Sequence, residues 1–369
     1  MLFRSYNNIL SNVQVVQYST SNVYISCTCI PGYSIGPWAG NPNIPSNQNF
    51  VFKITRNPVQ NSGNPVAVGL GHIGVWSNGV SIFNASDGQS YNNQGVWHRN
   101  AYYWEGSSFD NCLGHPAPNG EYHHHVSPTC LYDETDSSQH SPIIGYAFDG
   151  FPVYGAWAFA NVNGTGPIKR MQSSYALSGN TTRVNGPPVN ATYPNGCYME
   201  DYVYNAGSGD LDARNGRFCI TPDYPQGTYA YFVTLDAALD PVFPYTFYGS
   251  YFGTVQPGNT GPNSGHITIS EPTTIYTGSV NVEELQHEIE YSLVPNPVND
   301  FAYLYFNTNS TNNISTEIYN ASGQCIFRQD NMQPSISYTL DFTNYATGMY
   351  FVHFTSGNKR AVTKVIKVE

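Results

Sequence analysis

Charge is scarce in this sequence. Asp, Glu, Lys and Arg make up 11% of its 369 residues, against roughly 25% in ordinary soluble domains. Lys and Arg together number 14, and the formal net charge is −11. A nucleic-acid partner is excluded on that ground, because neutralising phosphates takes clustered cations. Long apolar runs are absent as well, so no membrane-spanning helix is expected. Helix signals are almost missing through residue 280, where Gly, Pro and β-branched residues recur too often for a stable helix. The sequence contains no Gly-x-Ser-x-Gly elbow, phosphate loop, dinucleotide fingerprint or Cys-x-x-Cys zinc pair, which removes the common hydrolase, kinase and dehydrogenase templates. The opening MLFRSYNNILSNVQ has no apolar stretch of the kind a secretory signal needs. The remaining composition points outward, so a leader already removed or an incomplete reading frame is expected.

What replaces charge is Asn, Ser, Thr, Gly and above all Tyr, which occurs 30 times. Short polar–apolar alternations such as NVQVVQY, NVYIS and FVFKIT read as strands. GHIGVWSNGVSIF reads as a hairpin around Asn78-Gly79. The chain is therefore expected to be all-β. Residues 1–272 form one β-rich region, 273–290 a linker with at most a helical turn or two in VEELQHEIEY, and 291–369 a small β-sandwich of immunoglobulin-like type. The last segment carries two hairpin patterns, at Ser322-Gly323 and Gly357-Asn358. The spacings of Cys112 with Cys130 and of Cys197 with Cys219 suit disulfides in an oxidising compartment. Asn-x-Ser/Thr triplets, among them Asn84, Asn163 and Asn190, fit a surface protein that carries glycans.

The stretch with chemistry in it is NCLGHPAPNGEYHHHVSPTC, residues 111–130. It holds His115, His123, His124 and His125 between two cysteines, and His140 follows shortly after. At a strand's two-residue period His123 and His125 share a face, and His124 lies on the other. Two imidazoles on one face, joined by His115 from a nearby loop, have the donor set of a copper or zinc site. The alternative is that the rings hydrogen-bond tyrosines and backbone carbonyls inside a loop-rich core. Asp149, in FDGFPVYG, and His140 are candidates for groups that orient a ligating histidine. For Asp149 a plain Asp-Gly turn competes with that role.

GHPAPNGEYHHH and SPIIGYAFDGFPVYG, with GVSIFNASDG upstream and LDARNGRFCITPDYPQGTYAYFVT and FPYTFYGSYFGT downstream, make the chain resemble the YHYH-domain family over roughly residues 70–255. His124 stands where the second Tyr of the name motif would be. The resemblance implies a secreted or surface protein and names no reaction. Residues 291–369 resemble the C-terminal sorting domain of type IX secretion substrates, through Pro295-Asn296-Pro297, the turn with Gly323, Gly348-Met349-Tyr350-Phe351-Val352 and the terminal Lys364-Val365-Ile366-Lys367. That resemblance implies export to the surface of a Gram-negative bacterium.

Three classes of function are compatible with these features. The first is a structural or adhesive surface protein, including a self-assembling extracellular fibre subunit, whose unprotected N-terminal strands add to a neighbour's sheet. The second is a metal-dependent enzyme using the histidine cluster with copper or zinc. The third is a non-catalytic module binding a metal or a surface polysaccharide. The structural class ranks first, because no second catalytic group stands out. Self-association, glycans and one transition-metal or zinc ion are the partners expected.

Overall fold

In the computed structural model the described residues are 5–6, 9–261, 263–276, 289, 291–306, 313–320, 324–333, 336–357 and 359–368. The chain divides into two compact units, Met1–Tyr276 and Thr277–Glu369.

The first unit is built on an eight-stranded sheet. Its strands are β1 (His72–Trp76), β2 (Ser81–Phe83), β3 (His115–Pro116), β4 (Tyr122–His124), β5 (Ile143–Ala147), β6 (Pro152–Tyr154), β7 (Gly216–Cys219) and β8 (Thr228–Phe232). Their spatial order is β3-β4-β2-β1-β5-β6-β8-β7. Most neighbours are antiparallel, but β4 runs parallel to β2 and β6 parallel to β8. Every residue of β1 and of β8 is buried, which explains their nearly continuous apolar sequences. The expected hairpin β1–β2 turns at Asn78-Gly79, where Gly79 adopts φ +85° and its N–H donates to the Trp76 carbonyl.

A second sheet of the unit contains the N-terminal strands Val13–Tyr18 and Asn22–Cys27, followed by Phe50–Thr55. Asn22–Cys27 sits between the other two in register, Val23 opposite Ile54 and Tyr18. Phe50, Phe52 and Ile54 share one buried cluster with Ile73, Val75, Trp76 and Tyr231. Both N-terminal strands pair within a sheet of their own chain. Thr274–Ile275 pairs with Val13–Tyr18, so the start of the expected linker belongs to this sheet. The helical turn expected in VEELQHEIEY and the Ser322-Gly323 turn fall outside the described residues, although the strands flanking the latter pair as a hairpin.

The second unit is a β-sandwich. One sheet has three strands and the other four, the division found in constant-type immunoglobulin sandwiches. Strand Phe301–Phe306 alternates strictly between exposed and buried residues. Ala302, Leu304 and Phe306 meet Ile318, Val352 and Phe354 of the other sheet in one core.

Of the two expected disulfides, Cys112–Cys130 is present, with Cα atoms 5.2 Å apart. Cys197 and Cys219 are separate buried thiols. The reason is positional. Cys219 ends β7 and packs with Tyr154, Met171 and Phe232, whereas Cys197 lies beside the guanidinium of Arg183 in a different loop. Alkylation in denaturant without reductant is expected to label Cys27, Cys29, Cys197, Cys219 and Cys325 and to spare Cys112 and Cys130. A cross-linked Cys197–Cys219 peptide would contradict this arrangement.

Candidate metal centre

The centre is assembled by a hairpin. Pro118 and Asn119 occupy the middle of a turn in which the Gly120 N–H donates to the Ala117 carbonyl at 2.8 Å. Gly120 has φ +80°, the left-handed conformation this kind of turn requires. The hairpin sets His115 of β3 directly opposite His123 of β4. The Cys112–Cys130 disulfide closes the same segment. Asp110 braces it: its carboxylate accepts from the N–H groups of Cys112, Gly114 and Gly36 and from the Tyr122 hydroxyl.

As the strand period predicts, His124 leaves on the far face, where its ring meets Tyr122 and Trp76. His123 and His125 stay together and are joined by His115. His123 Nε2 lies 3.1 Å from His115 Nε2 and 3.1 Å from His125 Nε2. All three rings are buried. Phe83 stacks on His123 at 3.9 Å between centroids, and Phe109 stands edge-on to His115 at 4.8 Å.

The opposite edge of each ring decides its protonation. His123 Nδ1 is 3.0 Å from the Glu121 carbonyl, and His125 Nδ1 faces the Asn84 carbonyl. A carbonyl only accepts, so both nitrogens are N–H donors. His115 Nδ1 is 2.8 Å from Ser108 Oγ. The Ser108 hydroxyl donates to the Glu105 carbonyl, so its oxygen is the acceptor for His115. Burial, followed by the neighbouring histidines, pushes the His115 imidazolium down to about 4 and that of His123 well below the usual range. Neutral rings with Nδ1 protonated carry their lone pairs on Nε2. The three Nε2 atoms face one another, with His115 and His123 offering lone pairs there, as ligands of a cation would.

Several of these partners were not apparent from sequence. Ser108 and the backbone of Asn84 orient two of the ligands. Asn84, although it begins an Asn-x-Ser triplet, is buried and donates its amide to the Gly69 carbonyl at 2.7 Å, so it is no glycan acceptor. Glu105, at the end of the short helix α1 (Ala101–Trp104), brings Oε2 to 3.3 Å from His125 Nε2 and 3.7 Å from His115 Nε2. Asp87 lies nearby, and burial pushes its carboxyl up to about 6. A cleft of about 490 Å³ is lined by Asn43, Asp87, Trp104 and Glu105 together with His115, His123 and His125.

Asp149 and His140 do not belong to this centre. The Asp149 carboxylate accepts from the Tyr231 hydroxyl at 2.6 Å and from the N–H groups of Gly253 and Phe151, which is the structural turn that competed with the ligand-orienting role. His140 Nδ1 donates to the Ser141 carbonyl, and its ring packs on Tyr154 and Phe159. Glu121, on the face expected to carry the ligands, turns its carboxylate to His72 Nδ1 and Ser81 Oγ and gives only its backbone carbonyl to the centre.

The sequence profile of the family described as YHYH protein matches residues 51–247, and that of the secretion system C-terminal sorting domain matches residues 292–368. Among solved structures, a DUF3244 family protein with an immunoglobulin-like β-sandwich fold from Bacteroides vulgatus is similar at 15% identity and a TM-score of 0.18, over 22% of this chain and 96% of its own. No curated protein matches the chain.

Proposed function

From the premise that the chain belongs to the YHYH protein family and carries a sorting domain that sends it to the cell surface or the extracellular space, we propose that it binds one divalent transition-metal or zinc ion through His115, His123 and His125. The observation behind this reading is the convergence of three Nε2 atoms whose Nδ1 partners all demand the same tautomer. A structural cluster of histidines would alternate donors and acceptors around the ring of contacts. Here each imidazole spends its donor outward and keeps its acceptor inward. The donor set is borderline, nitrogen without thiolate, which suits zinc(II), copper(II), nickel(II) or iron(II) rather than copper(I).

A catalytic use of the ion is the second reading. One observation favours it: the cleft reaches the ligands, whereas a purely structural zinc site is closed on all sides.

The test is direct. Full-length protein stripped with a chelator is titrated with zinc(II) and then copper(II), and metal per chain is counted after desalting. One ion per chain is expected, and none for the double variant His123→Ala/His125→Ala. Equal metal content in parent and double variant would leave the histidines with a packing role only.

A further inference from the structure

We infer that Glu105 supplies a fourth ligand, so that the centre is a three-histidine, one-carboxylate site with the carboxylate on its cleft side. This inference rests on the proposed metal centre and extends it.

The distances carry the argument. For an ion with bonds of about 2.0–2.1 Å in tetrahedral geometry, any two ligand atoms stand about 3.3–3.4 Å apart. The observed edges are 3.1 Å for His115–His123 and 3.1 Å for His123–His125. The edges to Glu105 Oε2 are 3.3 Å from His125 Nε2 and 3.7 Å from His115 Nε2. These four separations lie near the expected length, whereas Glu105 stands outside the group of His115, His123 and His125 whose ligand atoms all lie within 4.8 Å of one another, so its carboxylate has to swing toward His123 to complete the site.

A second observation is independent of those lengths. Glu105 Oε2 is buried, and no backbone or hydroxyl donor satisfies it; its nearest polar partner is His125. What it faces is the Nε2 edge of two imidazoles. A carboxylate aimed at the edges where the rings face one another suits a cation held between them.

Charge balance points the same way. Three neutral imidazoles leave a bound divalent ion with its full double charge in a buried site, which is costly. One carboxylate halves that charge. The anchoring of Glu105 also fits. Ser108 Oγ links the Glu105 carbonyl to His115 Nδ1, so the backbone carrying the carboxylate and the ring of one histidine are held by a single hydroxyl. The Glu105 side chain is 32% exposed and those of His115 and His125 only 6% and 2%. Of the four groups it is the one a molecule entering the cleft meets first.

The experiment compares parent, Glu105→Gln and Glu105→Ala with the double histidine variant, using cobalt(II) as the probe. Visible absorption reports the coordination sphere, and competition with a chelator reports affinity. Both Glu105 variants are expected to keep one cobalt per chain. They are expected to bind it at least about 10-fold more weakly, taking the loss seen for outer groups as a floor. Their absorption bands are expected to shift as water or an amide replaces the carboxylate. Matching melting curves of the metal-free proteins show that the substitutions leave the fold intact. Unchanged affinity and spectrum in both variants would overturn the role of Glu105 while leaving the three-histidine centre standing. Failure of the parent to bind cobalt would overturn both.

Discussion

Zinc(II) at one hundred times its dissociation constant is expected to stabilise the parent protein by about 2.7 kcal/mol, because the ion binds the folded state and not the unfolded one. The increment should vanish in His123→Ala. His123 is the ring between the other two, 3.1 Å from each by Nε2. Without it the centre loses the ring that links the other two imidazoles. In the metal-free state the substitution acts differently. It removes the stacking partner of Phe83 and leaves the Glu121 carbonyl without its donor. A large-to-small change of this kind has its own cost, of order 2–5 kcal/mol for apolar side chains. The diagnostic quantity is therefore the difference between melts with and without zinc, measured for each protein. A zinc-induced increment of equal size in parent and variant would remove His123 from the centre.

The second large effect lies away from the histidines. Asp201→Ala is expected to destabilise the protein by about 3–5 kcal/mol, the usual cost of leaving one member of a buried ion pair alone. Arg183 and Asp201 are buried, with Nε and Nη2 each 2.7 Å from a carboxylate oxygen. The same carboxylate accepts from the N–H groups of Gly196 and Tyr198. The pair shapes the loop that presents the Cys197 carbonyl to Trp104 Nε1 at 2.7 Å. Trp104 is the last residue of α1, and Glu105 follows it. Loss of Asp201 should thus loosen the carrier of the carboxylate as well as the fold. Chemical denaturation of Asp201→Ala and Asp201→Asn checks the stability. A loss below 1 kcal/mol in the Ala variant would show that Arg183 finds water or other carbonyls to replace its partner.

Much of this architecture could be read from the residues, and the reasons are local. Asn78-Gly79 and Pro118-Asn119-Gly120 determine turns through their own backbone preferences. The alternation of His123, His124 and His125 follows from the pleat alone. Other features depend on what is distant in sequence. By its sequence Asp149 suits a turn and also the orienting of a histidine. Only the arrival of Tyr231 and Gly253 across the sheet decided for the turn. Cys197 and Cys219 have a loop length that permits pairing, but β7 and the Arg183 loop carry them to different packing clusters. Glu105 gave no periodic or spacing signal. It reaches the histidines because Asn100 caps α1, accepting from the Tyr102 N–H, and the helix ends one turn later. The N-terminal strands were ambiguous for the same reason. Their unprotected edges suit a neighbour's sheet as well as their own, and the choice rests on Phe50–Thr55 and Thr274–Ile275 being there to receive them.

Donors and orienting groups of the centre differ in how far along the chain they are collected. Glu105, His115, His123 and His125 fall within one short segment, yet His125 is aligned by the Asn84 carbonyl and β4 is held beside β2 by parallel pairing of His123 with Ser81. A parallel pair forms late, because its loop must close first. The donors of the proposed centre are chain neighbours, while the groups that fix their tautomer and spacing are brought in by β2 and Asn84. A change in β2 that leaves every donor in place would still disturb the centre.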